Sequence, residues 1–346
     1  MSLPPGVGRP ARPHDASDRG HTRATTIDVV FDVGHESASV DRVMTRNRGF
    51  AYRAQIGPHA AGRPVRDHLA SAHTHSDSAT WDIRLAAGEV ELDGTVARGD
   101  ETLRAGQHLT WHRPPWDEPD VPRDFDVIHE DAQIVAVAKP RGLPTVPAGG
   151  FLEHTLFALV RARFGDAHPV HRLGRGTSGL VIFARTGAAA ASIGRVWRTP
   201  AVTKVYRALA SGDPSWTTLD IETPVGPVPH AVLGAVHAAS PSGRAAHSNA
   251  TVLERRGDST LCDVRITTGR PHQIRVHLAS AGHPLVGDPL YVAGGQPRAE
   301  TRVLPGDGGY LLHAHTVRLA HPADGRTLDL AAPPPQSLRT ARERTD

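Results

Sequence analysis

The chain has 346 residues, a formal net charge of +3 and 39% hydrophobic residues, which is typical of a globular protein with room for two domains. Its single cysteine, Cys262, excludes an internal disulfide and a cysteine-based zinc site, and we expect no disulfide-linked partner. No apolar run reaches the length of a membrane span, about 18 residues, and the N-terminus has no signal-like apolar segment. The sequence therefore predicts a cytoplasmic protein without a membrane anchor.

The N-terminal part of the chain predicts a disordered segment followed by a small domain. Residues 1–24 are rich in Pro, Gly, Arg and Asp, a composition typical of disorder. The next stretch, TTIDVVFDV, has the composition of a strand. Residues 49–116 predict a small α/β domain, in which Asp93 and Gly94 form a hairpin turn.

A proline-rich linker at residues 117–123 leads into a larger domain at 124–336, and 337–346 is a charged tail. In the larger domain, LEHTLFALVRARF has helical spacing and HQIRVHLASAG predicts a short helix ending at its glycine. The other periodic segments are strands. Because strands outnumber helices, we expect an α+β fold around a largely antiparallel mixed sheet.

One segment, HRLGRGTSGLVIFA, contains Gly174, Gly176 and Gly179 in the spacing of a dinucleotide-binding turn. Such a turn needs a helix after its third glycine, because the helix N-terminus holds the pyrophosphate. Here LVIFA follows, an apolar β-branched run that predicts a strand. The sequence therefore disfavours a nucleotide cofactor.

Histidine pairs give no stronger indication of a metal. His313 and His315 alternate along one predicted strand, and His73 and His75 are similarly spaced. With 22 histidines in the chain, such pairs arise by chance, and no H-E-x-x-H motif is present. We expect neither a metal nor a cofactor.

Four segments resemble motifs of the RluA-type RNA pseudouridine synthases, in that family's order. They are EDAQIVAVAKPRGLPTVP, HRLGRGTSGLVIFAR, KVYRALA and TTGRPHQIRVHLASAGHPLVGDPLY. The resemblance covers residues 124–336, and the smaller domain before it is similar to a degenerate alpha-L RNA-binding domain. The resemblance implies a cofactor-free isomerase that flips a uridine out of structured rRNA or tRNA and converts it to pseudouridine.

The resemblance also implies roles for individual residues. Tyr206 corresponds to the tyrosine that stacks on the base, and Arg275 to the arginine that pairs with the nucleophilic aspartate. Arg172 corresponds to the arginine that fills the place of the flipped base. Further residues are predicted to bind RNA or to shape its loops: Thr177, Arg270, His272 and Gln273.

This chain departs from the family at one position, since the nucleophilic aspartate is replaced by Gly174. One hypothesis is a working synthase with a relocated carboxylate, such as Asp166; Asp288 is expected to hold its own loop instead. A second is an RNA-binding protein that has lost catalysis, for example a ribosome assembly factor. The third, an unrelated cofactor enzyme, is disfavoured by the failed glycine motif. Family membership favours the synthase.

Overall fold

The computed structural model describes residues 46–73, 76–304 and 306–345. The N-terminal segment expected to be disordered and the strand-like stretch after it lie outside these residues. The chain forms two compact units, Arg48–Pro115 and a larger one that runs from Trp116 onward and includes residues 46–47. In the described ranges no helix combines the length and apolar character that a membrane crossing requires.

Within residues 48–73 and 76–115, the smaller unit contains four strands and two α-helices. They are β1 (Phe50–Gln55), α1 (Val65–Ala72), α2 (Ser78–Ala86), β2 (Val90–Leu92), β3 (Thr95–Val96) and β4 (His108–Arg113). The strands form an antiparallel sheet in the order β1-β4-β2-β3. Asp93 and Gly94 join β2 to β3 with φ angles of 50° and 80°, which confirms the predicted hairpin. Leu69 and Trp81, from the two helices, lie in its buried core.

The larger unit is built mainly of strands. Its elements are β5 (Asp126–Glu130), β6 (Ile134–Lys139), α3 (Leu156–Phe164), β7 (His168–Pro169), β8 (Ser178–Ala184), α4 (Gly187–Val196), β9 (Thr203–Ser211), β10 (Thr218–Ile221), β11 (Val225–His230), β12 (Gly234–Ala239), β13 (Ser248–Arg255), β14 (Ser259–Ile266), α5 (Gln273–Ser280), β15 (Tyr291–Val292), β16 (Gln296–Pro297), β17 (Leu312–Ala320), β18 (Thr327–Ala331) and α6 (Ala341–Thr345). Helix α3 begins later than its apolar spacing suggests, because Thr155 accepts a hydrogen bond from the Ala158 amide and caps it.

Ten of these strands form one mixed sheet within the described residues. Its main path is β10-β13-β14-β9-β17-β8-β6-β5, with β18 and β7 paired at the side of β17 and β8. Neighbours are antiparallel except β8 and β17, which run parallel. The fold is α+β with a large mixed sheet and few helices, as the sequence predicted.

Both faces of this sheet are covered near its centre. Strand β6 contributes Ile134 and Ala136 to one buried cluster and Val135 and Val137 to another, since neighbouring side chains point to opposite faces. Helix α4 packs in the first cluster and α3 in the second. The central strands next to the loop between β7 and β8 are therefore packed on both faces.

The charged tail folds onto this unit. Arg207, which is buried in β9, donates hydrogen bonds to Glu343 of α6 and to Asp263 of β14. The guanidinium and the Thr340 hydrogen bonds hold the pKa of Glu343 down at about 2. The C-terminal segment is therefore part of the structure that holds β9.

Candidate active site

Gly174 lies in the exposed turn of the loop between β7 and β8, where its carbonyl accepts a hydrogen bond from the Thr177 amide at 3.0 Å. A Cβ atom at this position would be 3.1 Å from the Tyr310 hydroxyl and 3.7 Å from Thr177 Oγ1. These two oxygens lie 3.2 Å apart and share a hydrogen bond. The Tyr310 hydroxyl therefore borders the space in which a side chain at position 174 would begin.

Sequence reasoning missed Tyr310. The residue is buried and lies two positions before the start of β17. Its ring also packs closely on the loop, because a Cβ at Gly176 would be 2.9 Å from two of the ring carbons. A tyrosine next to a strand has an ordinary packing role by default, so only its contact with the loop indicates a role in the site.

Lys139 anchors the loop between β7 and β8 through hydrogen bonds. This buried ammonium group donates hydrogen bonds to the carbonyl oxygens of Pro140, Leu143 and Arg175. Burial lowers the pKa of Lys139 to about 7. Arg175 also donates to Asp307 at 2.5 Å, which connects the loop to the segment that carries Tyr310.

Gly179 fixes the end of the loop. Its φ angle is 109°, and a Cβ there would lie 2.2 Å from the Ala314 carbonyl oxygen. Only glycine allows β8 and β17 to approach so closely in this conformation. The glycine of the Thr-Ser-Gly motif is thus explained by the close packing of two strands and not by a nucleotide.

Arg275 of α5 is buried against Asp288. Its Nε and Nη2 atoms donate to Oδ2 and Oδ1 of the carboxylate, each at 2.8 Å. Burial disfavours the charged guanidinium, but hydrogen bonds and attraction to Asp288 outweigh it and raise the pKa of Arg275. The guanidinium carbon is 4.1 Å from the centre of the Tyr310 ring.

Asp288 therefore supplies the counter-charge that Gly174 cannot. The sequence had predicted that Asp288 holds its own loop. The carboxylate does both, since Oδ1 also accepts the amides of Leu290 and Tyr291. A buried carboxylate with four donors is a stable partner for a buried arginine.

Tyr206 lies in β9, in register with Ala314 of β17. It packs against the buried clusters that contain Leu173 and Tyr310. Burial raises the pKa of the Tyr206 phenol to about 12. At neutral pH the hydroxyl keeps its proton, so the ring is suited to apolar packing and stacking.

The predicted residues Gln273 and His272 brace the loop before α5. Gln273 is buried, donates to His247 O and Ser248 Oγ, and accepts hydrogen bonds through Oε1. His272 adopts a left-handed conformation and lies 2.7 Å from the Tyr291 hydroxyl through Nδ1. Burial, and then the charge of Arg275, lower the pKa of His272 to about 3.

Four arginines form a positively charged surface near this loop: Arg172, Arg198, Arg244 and Arg270. Burial and then repulsion from Arg244 and Arg198 lower the pKa of Arg270, so these three charges are close neighbours. Arg172 is exposed and acts electrostatically on His272. Arg270 also donates to the Ala245 carbonyl, which orients its side chain. The sequence had indicated Arg172 and Arg270 and missed the other two.

Asp166, the carboxylate considered for relocation, is mostly exposed and hydrogen bonds to Arg161 and His168. Neither partner belongs to the turn of Gly174. Within the described ranges, no group of three or more His, Cys, Asp or Glu side chains is arranged for a metal. His313 and His315 each lie 3.0 Å from the Ala332 carbonyl oxygen, and His75 lies outside the described residues.

Comparisons with known proteins show which family this chain is similar to. A family model described as RNA pseudouridylate synthase matches residues 133–280. The chain is 37% identical to an uncharacterized RNA pseudouridine synthase of Synechocystis, over 81% of this chain and 97% of that protein. It is 37% identical to RNA pseudouridine synthase 5 of Arabidopsis thaliana, over 76% and 86% of the two chains.

Two further comparisons extend the range of relatives. Ribosomal large subunit pseudouridine synthase D of Pseudomonas aeruginosa is 32% identical over 83% of this chain and 93% of that protein. The solved structure of human RNA pseudouridylate synthase domain containing 1 superposes with a TM-score of 0.50 at 26% identity. That match covers 64% of this chain and 89% of the human one.

Proposed function

Because this chain belongs to the RNA pseudouridine synthase family, we propose that it isomerises specific uridines in structured rRNA or tRNA to pseudouridine, without a cofactor. The observation that carries the proposal is the convergence of three motif segments at Tyr310. Its hydroxyl borders Gly174, its ring lies on Arg275, and Tyr206 packs against the buried cluster that contains it. These are the segments that hold the catalytic residues in the family the chain resembles.

The four arginines support binding of an RNA backbone. Guanidinium groups suit phosphate because their planar fork offers paired donors. The mutual repulsion around Arg270 is relieved when an anion binds between the charges. In this proposal Arg172 enters the stack when the uridine leaves it, which offsets part of the few kcal/mol lost on unstacking.

A second candidate function is binding of RNA without isomerisation. Gly174 has no side chain to attack the ribose, and the charge of Arg275 is already neutralised by Asp288. Because Arg275 already has a counter-charge, the site needs no aspartate for charge balance. This favours RNA binding without catalysis. Such a protein would hold or remodel RNA during ribosome assembly.

The experiment that tests the proposal uses transcripts made in vitro with uridine tritiated at C5. Isomerisation forms the new glycosidic bond at C5 and releases that hydrogen to water, so the assay needs no knowledge of the target site. Transcripts of large-subunit rRNA and of tRNAs serve as probes, and filter binding measures affinity in parallel. We expect tritium release with at least one transcript. Binding of all transcripts without release would overturn the synthase proposal in favour of the second candidate.

A further inference from the structure

We propose that the Tyr310 hydroxyl replaces the missing aspartate as the nucleophile. This inference rests on the proposed synthase function. It identifies which group of this chain would attack the ribose at C1′. The inference is carried by geometry, since the hydroxyl borders the space that a side chain at position 174 would enter.

The hydroxyl has the position that the role requires. It is 3.1 Å from where a Cβ of residue 174 would be. A carboxylate at 174 would reach into this same neighbourhood, because its oxygens lie within two bonds of Cβ. Gly174 is exposed and has no side chain, so a ribose can approach the turn at this point.

The surroundings of the hydroxyl suit an attacking oxygen. Thr177 Oγ1 lies 3.2 Å from the Tyr310 hydroxyl oxygen. It can donate a hydrogen bond to that oxygen or accept one from the phenol. The Arg275 guanidinium lies on the ring face, with its carbon 4.1 Å from the ring centre. A fixed positive charge there stabilises negative charge that develops on the phenol ring during attack.

The neighbouring carboxylates are engaged elsewhere. Asp288 accepts two hydrogen bonds from Arg275 and two from backbone amides. Asp307 binds Arg175 through Oδ1 and the Leu304 amide through Oδ2. Tyrosine is an established alternative to carboxylate as the nucleophile at an anomeric carbon, as in sialidases.

The first step exchanges one bond at C1′ for another. The phenol oxygen attacks C1′, and the bond between C1′ and N1 of the uracil breaks with its electron pair on N1. The phenolic proton passes to N1, which leaves neutral uracil in the site. The ribose is then joined to Tyr310 through an aryl glycosidic bond.

The second step reverses the exchange at a different atom of the base. The uracil turns so that C5 attacks C1′, and the bond from C1′ to the phenol oxygen breaks with its electron pair on oxygen. The proton on C5 then returns to the phenolate. The hydrogen lost from C5 balances the one gained by N1, so no co-reactant is needed.

The test compares tritium release by the full chain and by Tyr310→Phe on the most active transcript. This substitution keeps the ring on Arg275 and removes only the hydroxyl. We expect release to fall at least about a thousandfold, as expected for loss of a nucleophile, while RNA affinity stays within about twofold. Tyr291→Phe is the matched control: its ring also contacts Arg275, but its hydroxyl donates to the His237 carbonyl and lies next to His272 Nδ1, away from Gly174. We expect this control to retain release.

A rescue variant separates the nucleophile from a structural role. Tyr310→Phe combined with Gly174→Asp removes the hydroxyl that would crowd the new Cβ and restores the family's carboxylate. We expect tritium release to return to within about a hundredfold of the unsubstituted chain. Release by Tyr310→Phe alone at the unsubstituted rate would overturn the proposal. The proposal would also be overturned if Asp307→Asn lost tritium release while Tyr310→Phe stayed active. That result would assign the nucleophile to the Asp307 carboxylate.

The failure of the proposed function has a different signature. If the unsubstituted chain releases no tritium but the double variant does, the protein is not a synthase and Tyr310 only fills the place of the aspartate. If the unsubstituted chain is active and Tyr310→Phe is equally active, the synthase function stands and this inference fails. Thermal unfolding of each variant excludes misfolding as the cause of a loss.

Discussion

Arg275 and Asp288 form a two-point ion pair, with the Nε and Nη2 atoms each 2.8 Å from one carboxylate oxygen. Both side chains are almost completely buried, at 2% and 1% exposure. This ion pair neutralises the buried Arg275 in a site where Gly174 replaces the family's aspartate. Its geometry also links α5 to the loop that contains Asp288.

Asp288→Asn should lower the free energy of unfolding by about 3–5 kcal/mol, because it leaves a buried guanidinium without its counter-charge. The asparagine oxygen can still accept the Leu290 amide, so the loss reports on the charge pair. Urea unfolding gives the measurement. The double variant Arg275→Met with Asp288→Asn should lose less stability than Asp288→Asn alone. A cost below about 1 kcal/mol for the single variant would contradict the assigned pairing.

The stability of the larger unit should fall as the pH drops below about 6.5. Burial is the main cause that lowers the pKa values of His277 and His313 to about 4, so both are neutral in the folded state at pH 5 to 6. The unfolded chain binds these two protons near pH 6.5, so between pH 6.5 and 4 protonation favours unfolding. Each histidine should lower the free energy of unfolding by about 1.4 kcal/mol per pH unit in this window.

Urea unfolding at pH 7, 6 and 5 measures this dependence. His277→Gln removes one of these protons, so it should make the pH dependence shallower by about one proton, whatever it does to stability at pH 7. An unchanged slope would show that His277 is not a buried neutral group.

Gly179→Ala should prevent stable folding of the larger unit or cost at least about 3 kcal/mol. The new Cβ would meet the Ala314 carbonyl, and the residue would have to keep a φ of 109°. The matched control is Gly194→Ala in α4, where a Cβ has nothing within 4 Å. Because alanine favours a helix over glycine, the control should gain about 0.5–1 kcal/mol. Thermal unfolding of the two variants should therefore shift in opposite directions.

Arg198→Gln and Arg244→Gln should each weaken RNA binding and reduce its dependence on salt. A phosphate contact with single-stranded RNA contributes about 0.7 to the slope of log affinity against log salt concentration, so each substitution should lower that slope by about this amount. Filter binding across salt concentrations gives the slope. Arg318→Gln removes the same charge from an exposed ion pair with Asp329 and should leave the slope unchanged. Equal slopes in all variants would exclude the arginine surface as the RNA site.

Tyr206→Phe should retain tritium release within about tenfold. A phenol with its pKa raised to about 12 holds its proton at pH 7, so its ring contributes more than its hydroxyl. Tyr206→Leu removes the aromatic face and should lower RNA affinity and release, because base stacking contributes about 1–3 kcal/mol. If Tyr206→Phe abolishes release with affinity intact, the hydroxyl itself takes part in proton transfer.

Local patterns in the sequence were sufficient for much of the fold. The Asp93-Gly94 hairpin and the short helix α5 follow from turn residues and apolar spacing, which act over a few neighbours. Helix α2 was not predicted, although Asp77 caps it by accepting the Thr80 amide. The parallel pairing of β8 with β17 could not be predicted, because it joins segments far apart in the chain.

The candidate site could likewise be predicted only in part. Motif order located Tyr206, Arg275 and the substituted Gly174. The partner of Arg275 and the contact of Tyr310 with Gly174 depend on how distant loops pack, which no local spacing encodes. Arg198 and Arg244 were missed for the same reason: an arginine on a surface indicates an anion site only when its neighbours in space are known.

The ion pair between Arg207 and Glu343 bears on how this protein folds as it is synthesised. The two residues are 136 positions apart, and Arg207 lies in the central strand β9, which pairs with β14 and β17. At about 5–20 residues per second, the ribosome needs roughly 7–27 s to supply the second partner after the first. During that interval the strand has a cation without one of its carboxylates, and for most of it β17 is also still missing. The larger unit can therefore complete its folding only after Glu343 has been synthesised, and until then this strand is accessible to a chaperone.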